Sequence, residues 1–188
     1  MTGRLVYSAL QSLDGFLEDV DGRFDWGTPD VELHGYINAL EGGIGTHLYG
    51  RRMYEVMTYW ETVGDGPDVA PVEAAYGRLW RALDKVVYST TLPEAATPRT
   101  RLERTFDPDA LRAMKSVADR DLSIGGPDVA GHAFRAGLVD DVHLFVFPVV
   151  LGGGKPAVPR DVALQLELVH ARTFGSGVVH LHHRVRTD

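Results

Sequence analysis

The sequence predicts a single α/β domain over residues 1–188, with a mostly parallel central sheet, flanking helices and an antiparallel C-terminal hairpin. Three observations predict it. Short apolar runs of strand type alternate with segments of helical periodicity through most of the chain. Three of those runs, ending at Gly50, Ser89 and Gly125, lead directly into turn signals where the chain would leave a sheet. The last two runs, 164–174 and 178–185, are joined only by Gly175-Ser176-Gly177, which reads as a hairpin.

Each element has its own signal. Residues 4–10 (RLVYSAL) are rich in β-branched and aromatic side chains and read as the first strand, with the Asp14-Gly15 pair bending the chain after it. The acidic, glycine-containing stretch 18–27 reads as a mobile loop carrying Phe24 and Trp26. Thr28 is placed to cap the next helix and Pro29 to occupy its first turn, with Asp30 and Glu32 complementing its dipole. Leu33, Ile37 and Leu40 form its buried stripe, and Gly42-Gly43 end it. Residues 46–50 (THLYG) form a short strand, followed at once by helical spacing at Met53, Val56, Met57 and Trp60. A Gly/Pro/Asp loop over 64–71 precedes a helix with Val72, Ala75, Tyr76, Leu79 and Leu83 on one face. Residues 84–89 read as a strand, 101–105 as another, and Asp107-Pro108 opens a helix through about residue 119. The strand and helix of 121–138 follow, then a strongly apolar strand over 142–150 that reads as buried on both faces.

Composition narrows the function. The chain is 44% hydrophobic and 24% charged, ordinary for a globular domain of this size. It has no cysteine, which removes disulfides, thiol catalysis and cysteine metal sites together. The formal net charge of −7 argues against a general nucleic-acid binder. No stretch is apolar enough to span a bilayer, and the N-terminus lacks the shape of a signal peptide, so a cytoplasmic location without membrane partners is expected.

The stretch 121–138 (DLSIGGPDVAGHAFRAGL) carries the clearest candidate site. A strand delivers Gly125-Gly126 and Pro127 to the start of a helix, where free amides and the helix dipole favour an anion such as a phosphate. The plain alternative is a tight turn with no ligand. A second such junction lies at Gly50, where Arg51 and Arg52 oppose the dipole unless a phosphate joins them. The hydroxyl run Ser89-Thr90-Thr91 ends a third strand and suits either phosphate binding or turn capping. Several familiar sites fail. Gly154-Lys155-Pro156 lacks the spacing and hydroxyl of a P-loop, and no dinucleotide fingerprint of Rossmann type opens a helix. His180 and His182 share one strand face, but no third ligand stands at a recognisable spacing, so no metal is expected. Asp14, Asp30 and Glu32 are candidates for proton chemistry, and each has a structural explanation as well.

Taken together, SLDGFLED, LYGRRMYEVM, KVVYSTTL, LSIGGPDVAGHAFRAGLVDDVHLFVFPVVLGGGKP and LELVHARTFGSGVVHLHHR resemble the dihydrofolate reductase-like superfamily. Within it they are most similar to stand-alone relatives of the C-terminal reductase domain of the riboflavin-biosynthesis deaminase–reductase. The resemblance covers nearly the whole chain and implies an NADPH-dependent oxidoreductase that passes a hydride to a small heterocycle of pterin, folate or pyrimidine type. It places Gly50, Arg51 and Arg52 at the cofactor phosphates, with Arg52 expected to discriminate NADPH from NADH. Ser89, Thr90 and Thr91 would line the 2′-phosphate pocket. Gly125, Gly126, Pro127, Asp128, Val129 and Ala130 would wrap the pyrophosphate and ribose. Leu13, Asp14 and Gly15 would lie beside the nicotinamide and substrate, with Asp30 or Glu32 as proton source and Trp26 closing the substrate pocket. Two alternatives accompany this reading: a non-catalytic NADPH-binding sensor, and the riboflavin-pathway 5-amino-6-(5-phosphoribosylamino)uracil reductase. The latter's phosphorylated substrate would need a second cation cluster, for which Arg99 and Arg101 are the candidates. A homodimer is expected, pairing through the strand 142–150 and the glycine loop after it.

Overall fold

A computed structural model describes residues 2–64 and 66–186; residue 65, in the expected loop 64–71, lies outside them. The central sheet has eight strands. In chain order they are β1 (Leu5–Ser12), β3 (Ile44–Gly50), β4 (Asp84–Tyr88), β5 (Thr100–Glu103), β6 (Asp121–Gly125), β7 (Asp141–Phe147), β9 (Leu166–Thr173) and β10 (Val179–Val185). Their order across the sheet is β5-β4-β3-β6-β1-β7-β10-β9. Every pairing from β5 to β7 is parallel, and β10 runs antiparallel to both neighbours. A short separate ribbon pairs β2 (Phe16–Glu18) with β8 (Lys155–Pro156).

Helices cover both faces. α1 (Val31–Glu41), α2 (Arg51–Met57), α3 (Tyr59–Thr62) and α4 (Pro71–Ala82) lie on one, α5 (Pro108–Val117) and α6 (Pro127–Arg135) on the other. Alternation along the strands makes this possible. In β3, Leu48 joins Ile124, Leu111, Ala130 and Phe134 on the α5/α6 side, and Tyr49 joins Tyr54, Tyr76 and Trp80 on the other. Trp80 is fully buried, its indole N–H donates to the Tyr49 hydroxyl at 3.2 Å, and the Lys85 ammonium lies 4.3 Å from its ring centre.

Three local readings change. Asp30, not Thr28, caps α1: its Oδ1 accepts from the Leu33 amide at 2.8 Å, while the Thr28 hydroxyl donates backwards to the Asp25 carbonyl. The buried face of α4 is set by Ala74, Tyr76, Gly77 and Trp80, so the stripe is rotated from the one that periodicity gave. The strand 142–150 ends at Phe147 and is only partly buried. Its edges are occupied by β1 and β10, so it has no free backbone to pair with a second copy. The sheet's two edges are β5 and β9, and β9 is exposed along its whole length.

A row of histidines seats the hairpin. His180 Nδ1 meets the Tyr36 hydroxyl at 3.1 Å and its Nε2 meets His143 Nδ1 at 3.0 Å. The His143 and His182 rings stack at 4.1 Å, and His182 lies 2.9 Å from Asp141, which also holds Arg4. Among the described residues, no group of three or more His, Asp or Glu side chains converges as a metal site. Burial, then the neighbouring His182, hold the His143 pKa down to about 4. Burial, then His143, hold that of His180 down to about 3. The unfolded chain restores ordinary values near 6.5, so it binds more protons than the fold below that pH. Stability is therefore complete above about pH 6.5 and declines as pH falls toward 4. Thermal melts from pH 7 to pH 4 should show a falling Tm, and His143→Gln should flatten part of that fall. A Tm independent of pH over this range would contradict the buried, neutral histidines.

Candidate active-site cleft

β3 continues through α2 toward β4, and β6 continues through α6 toward β7, so the crossovers diverge between two adjacent parallel strands. In an open α/β sheet, that is where a crevice forms at the strand carboxyl ends. A cleft of about 670 Å³ lies there. It runs from the ends of β4 and β5, over the junctions at Gly50 and Gly126, to β1, β2 and the turn at 25–27. Crossing β4, β3, β6 and β1 alone spans roughly 14 Å at the usual strand spacing.

The two glycine junctions meet at its centre. Gly126 has φ +93°, and a Cβ there would stand 3.3 Å from Met53 Cβ and 3.8 Å from the Gly50 nitrogen. Any side chain at 126 would strain the backbone and fill the gap between the helix starts. No side chain caps α2 or α6, so their first-turn amides have no intrahelical acceptor. Pro127 fixes the first turn of α6, and the amides of Asp128 and Val129 follow it.

Toward β4 and β5 the lining is cationic and hydroxylic. Arg51 donates to Thr91 Oγ1 at 3.1 Å and forms an exposed pair with Glu55 at 3.5 Å. Ser89 Oγ accepts from the Leu92 amide at 3.0 Å, shaping the turn that presents Thr90 and Thr91. Arg104 donates to the carbonyls of Ser89 and Leu92 at 3.2 and 2.6 Å and lines the same end, beside Phe106 and His132.

Toward β1 and β2 the lining is apolar: Leu10, Leu17, Phe24, Trp26, Met53 and Val56. Arg52 points this way, bridging both oxygens of Glu18 at 3.1 and 3.0 Å and reaching the Gly22 carbonyl at 3.5 Å. It thus ties the 18–27 segment to α2. Lys155 pairs with Asp128 at 2.7 Å. It is carried there by β8, whose approach to β2 depends on Gly154: a Cβ at that residue would stand 1.9 Å from the Glu18 carbonyl oxygen.

Of the residues the sequence singled out, Gly50, Arg51, Arg52, Ser89, Thr90, Thr91, Gly126, Pro127, Asp128, Val129 and Trp26 line this one cleft. Gly125 and Ala130 are buried directly beneath it. Leu13, Asp14, Gly15, Asp30 and Glu32 are not among the lining residues. Leu13 is 65% exposed. Gly15, at φ +86°, makes the turn into β2, its carbonyl accepting from the Ala157 amide at 2.9 Å. Asp14 clamps the glycine loop, accepting from the Leu151 and Gly152 amides at 3.1 and 2.7 Å. The Ser12 hydroxyl above all, then those amides, hold its carboxyl below the ordinary range, the reverse of what a proton donor needs. Asp30 is occupied as the α1 cap, and Glu32 binds Arg172 at 3.0 Å and the Gly175 amide at 3.3 Å, docking α1 on the hairpin. Arg99 and Arg101 also lie elsewhere, paired with Asp84 and Glu103 at 2.9 Å each. Glu18, Phe24, Met53, Val56, Arg104, Phe106, His132 and Lys155 also line the cleft, though the sequence assigned none of them to a site.

Known proteins are similar to this chain in sequence and in fold. The uncharacterized protein YyaP of Bacillus subtilis (strain 168) is 28% identical over 181 residues, covering 95% of this chain and 93% of that one. A crystal structure of a Shewanella sp. PV-4 protein named for riboflavin biosynthesis superposes with a TM-score of 0.76 at 18% identity, over 100% of both chains. The dihydrofolate reductase of Enterococcus faecalis, in complex with NADP(H) and RAB-propyl, superposes with a TM-score of 0.65 at 13% identity, over 100% of this chain and 99% of that one. The fold is thus dihydrofolate reductase-like. Residues 4–180 match the family described as the RibD C-terminal domain, and the chain belongs to that family.

Proposed function

We propose that this protein is an NADPH-dependent reductase that transfers a hydride to a small heterocyclic substrate. The observation that carries the reading is the meeting of two uncapped helix starts at Gly50 and Gly126 inside one cleft, with Arg51 and Thr91 beside them. The chemistry of these donors fits a dinucleotide phosphate. Amides at the start of α6 suit the pyrophosphate, and the side-chain-free gap at Gly126 admits it. The Arg51 guanidinium and the Thr90 and Thr91 hydroxyls suit the 2′-phosphate. Arg51 takes this role in place of Arg52, which Glu18 already engages. The family and the NADP(H)-bound reductase of the same fold support the reading.

When bound, NADPH supplies a hydride; its addition to a ring carbon of a C=N or C=C bond, with a proton to the other atom, balances the reduction and leaves NADP⁺. The chain's part is to hold the ring against that cofactor and keep water out. The apolar surface of Leu10, Trp26, Met53 and Val56 is suited to both. Trp26 is held edge-on against Phe147 at 5.8 Å, so the wall of the pocket is anchored to the core.

We also propose that a second copy covers β9, since an eight-residue exposed edge strand with Leu168 at 56% exposure otherwise invites uncontrolled pairing. Light scattering should give twice the monomer mass, and a proline at residue 169 should shift it to the monomer. A monomer in the parent chain would contradict this. For the cofactor, quenching of intrinsic fluorescence should report tighter binding of NADPH than NADH. Arg51→Gln should weaken NADPH about 10-fold or more while changing NADH little. Equal weakening of both would remove Arg51 from the 2′-phosphate, and absence of NADPH binding would end the reading.

A further inference from the structure

We propose that the substrate reduced in this cleft is an uncharged planar heterocycle that carries no phosphate. The proposal rests on the reading of the cleft as an NADPH site and concerns the end that the cofactor leaves open.

The two ends of the cleft treat charge differently. On the β4–β5 side no carboxylate stands among the lining residues, and the cations Arg51 and Arg104 contact a hydroxyl and backbone carbonyls. The Arg51–Glu55 pair, half exposed on both sides, is of the weak surface kind. An incoming phosphate finds cations there at little cost. On the β1–β2 side Arg52 is engaged in place, held through both oxygens of Glu18, whose side chain is only 16% exposed. A phosphate entering this end would have to take the guanidinium from Glu18 and then sit beside that carboxylate. Like charges brought together so close are a strong means of rejecting a ligand.

The same end suits a flat neutral ring. Trp26 and Phe24 offer aromatic surface, Leu10, Leu17, Met53 and Val56 add an open apolar wall, and the Arg52–Glu18 bridge draws the segment bearing both aromatics onto α2. Apolar walls with a few fixed polar groups bind planar rings by area and orient them by those groups. Arg99 and Arg101, the other candidate cations for a ribose phosphate, are paired outside the cleft.

The matched probes are 5-amino-6-(5-phosphoribosylamino)uracil and its phosphate-free riboside, titrated by calorimetry into protein saturated with NADP⁺, which has no hydride to give. The riboside should bind about 10-fold tighter or better, and Glu18→Gln, which removes the rejecting charge and frees Arg52, should narrow that preference. Equal or tighter binding of the phosphorylated compound, or binding of neither to protein that does take up NADP⁺, would overturn the proposal. Failure of NADP⁺ itself to bind would register in the preceding saturation step and would remove the site reading on which the proposal stands.

Discussion

The close packing of two strand-to-helix junctions governs this molecule. Gly50 ends β3 and Gly126 directly follows the adjacent parallel strand β6, and a single methyl group added at Gly126 would fall 3.3 Å from Met53 Cβ. The contact is possible because α2 and α6 leave the sheet on opposite faces, a consequence of crossovers that run in opposite directions from β3 and β6. Right-handed connections impose that divergence once the strand order is set. The result is a narrow rim of amides in a chain of net charge −7, a local exception to an otherwise acidic surface.

Other features of the fold hold the open side of that rim in shape. Asp14 fixes the glycine loop through two amides, Gly154 lets β8 lie against β2, and Lys155 is thereby brought to Asp128. Arg52 fastens the 18–27 segment to the start of α2. Residues that look chemical in isolation are in this way given positional tasks, and the cleft's two ends acquire different electrostatics from the same few ions. One end keeps its positive charge available, and the other has spent it.

The strand–helix alternation, the hairpin and all three junctions were legible because each depends on local backbone chemistry: glycine at a turn, proline in a first helical turn, apolar periodicity. Cleft residues adjacent to those junctions, such as Arg51 and Thr91, were legible for the same reason, whereas Val129 was assigned to the site only through the family resemblance. Asp14, Asp30 and Glu32 were read for their acidity, but their tasks are set by partners far away in sequence: Leu151 and Gly152 for Asp14, Arg172 and Gly175 for Glu32. Lys155, weighed only as part of a failed P-loop, and Arg104 were not read as cleft residues because the pairing of β8 with β2 and of β5 with β4 brings them there, and neither pairing has a local signature. The rotated face of α4 has a similar origin, since Trp80 is directed inward by Tyr49 and Lys85 on neighbouring strands.

The central claim is that amides at the start of α6 and the Arg51 guanidinium together hold NADPH across the rim of the sheet by its pyrophosphate and its 2′-phosphate. A crystal structure of the protein grown with NADPH tests it most directly. The account places the pyrophosphate against the Asp128 and Val129 amides, the 2′-phosphate between Arg51 and Thr91, and the nicotinamide toward Trp26. A dinucleotide bound elsewhere, or one lying in the cleft with its phosphates turned toward Glu18, would contradict it.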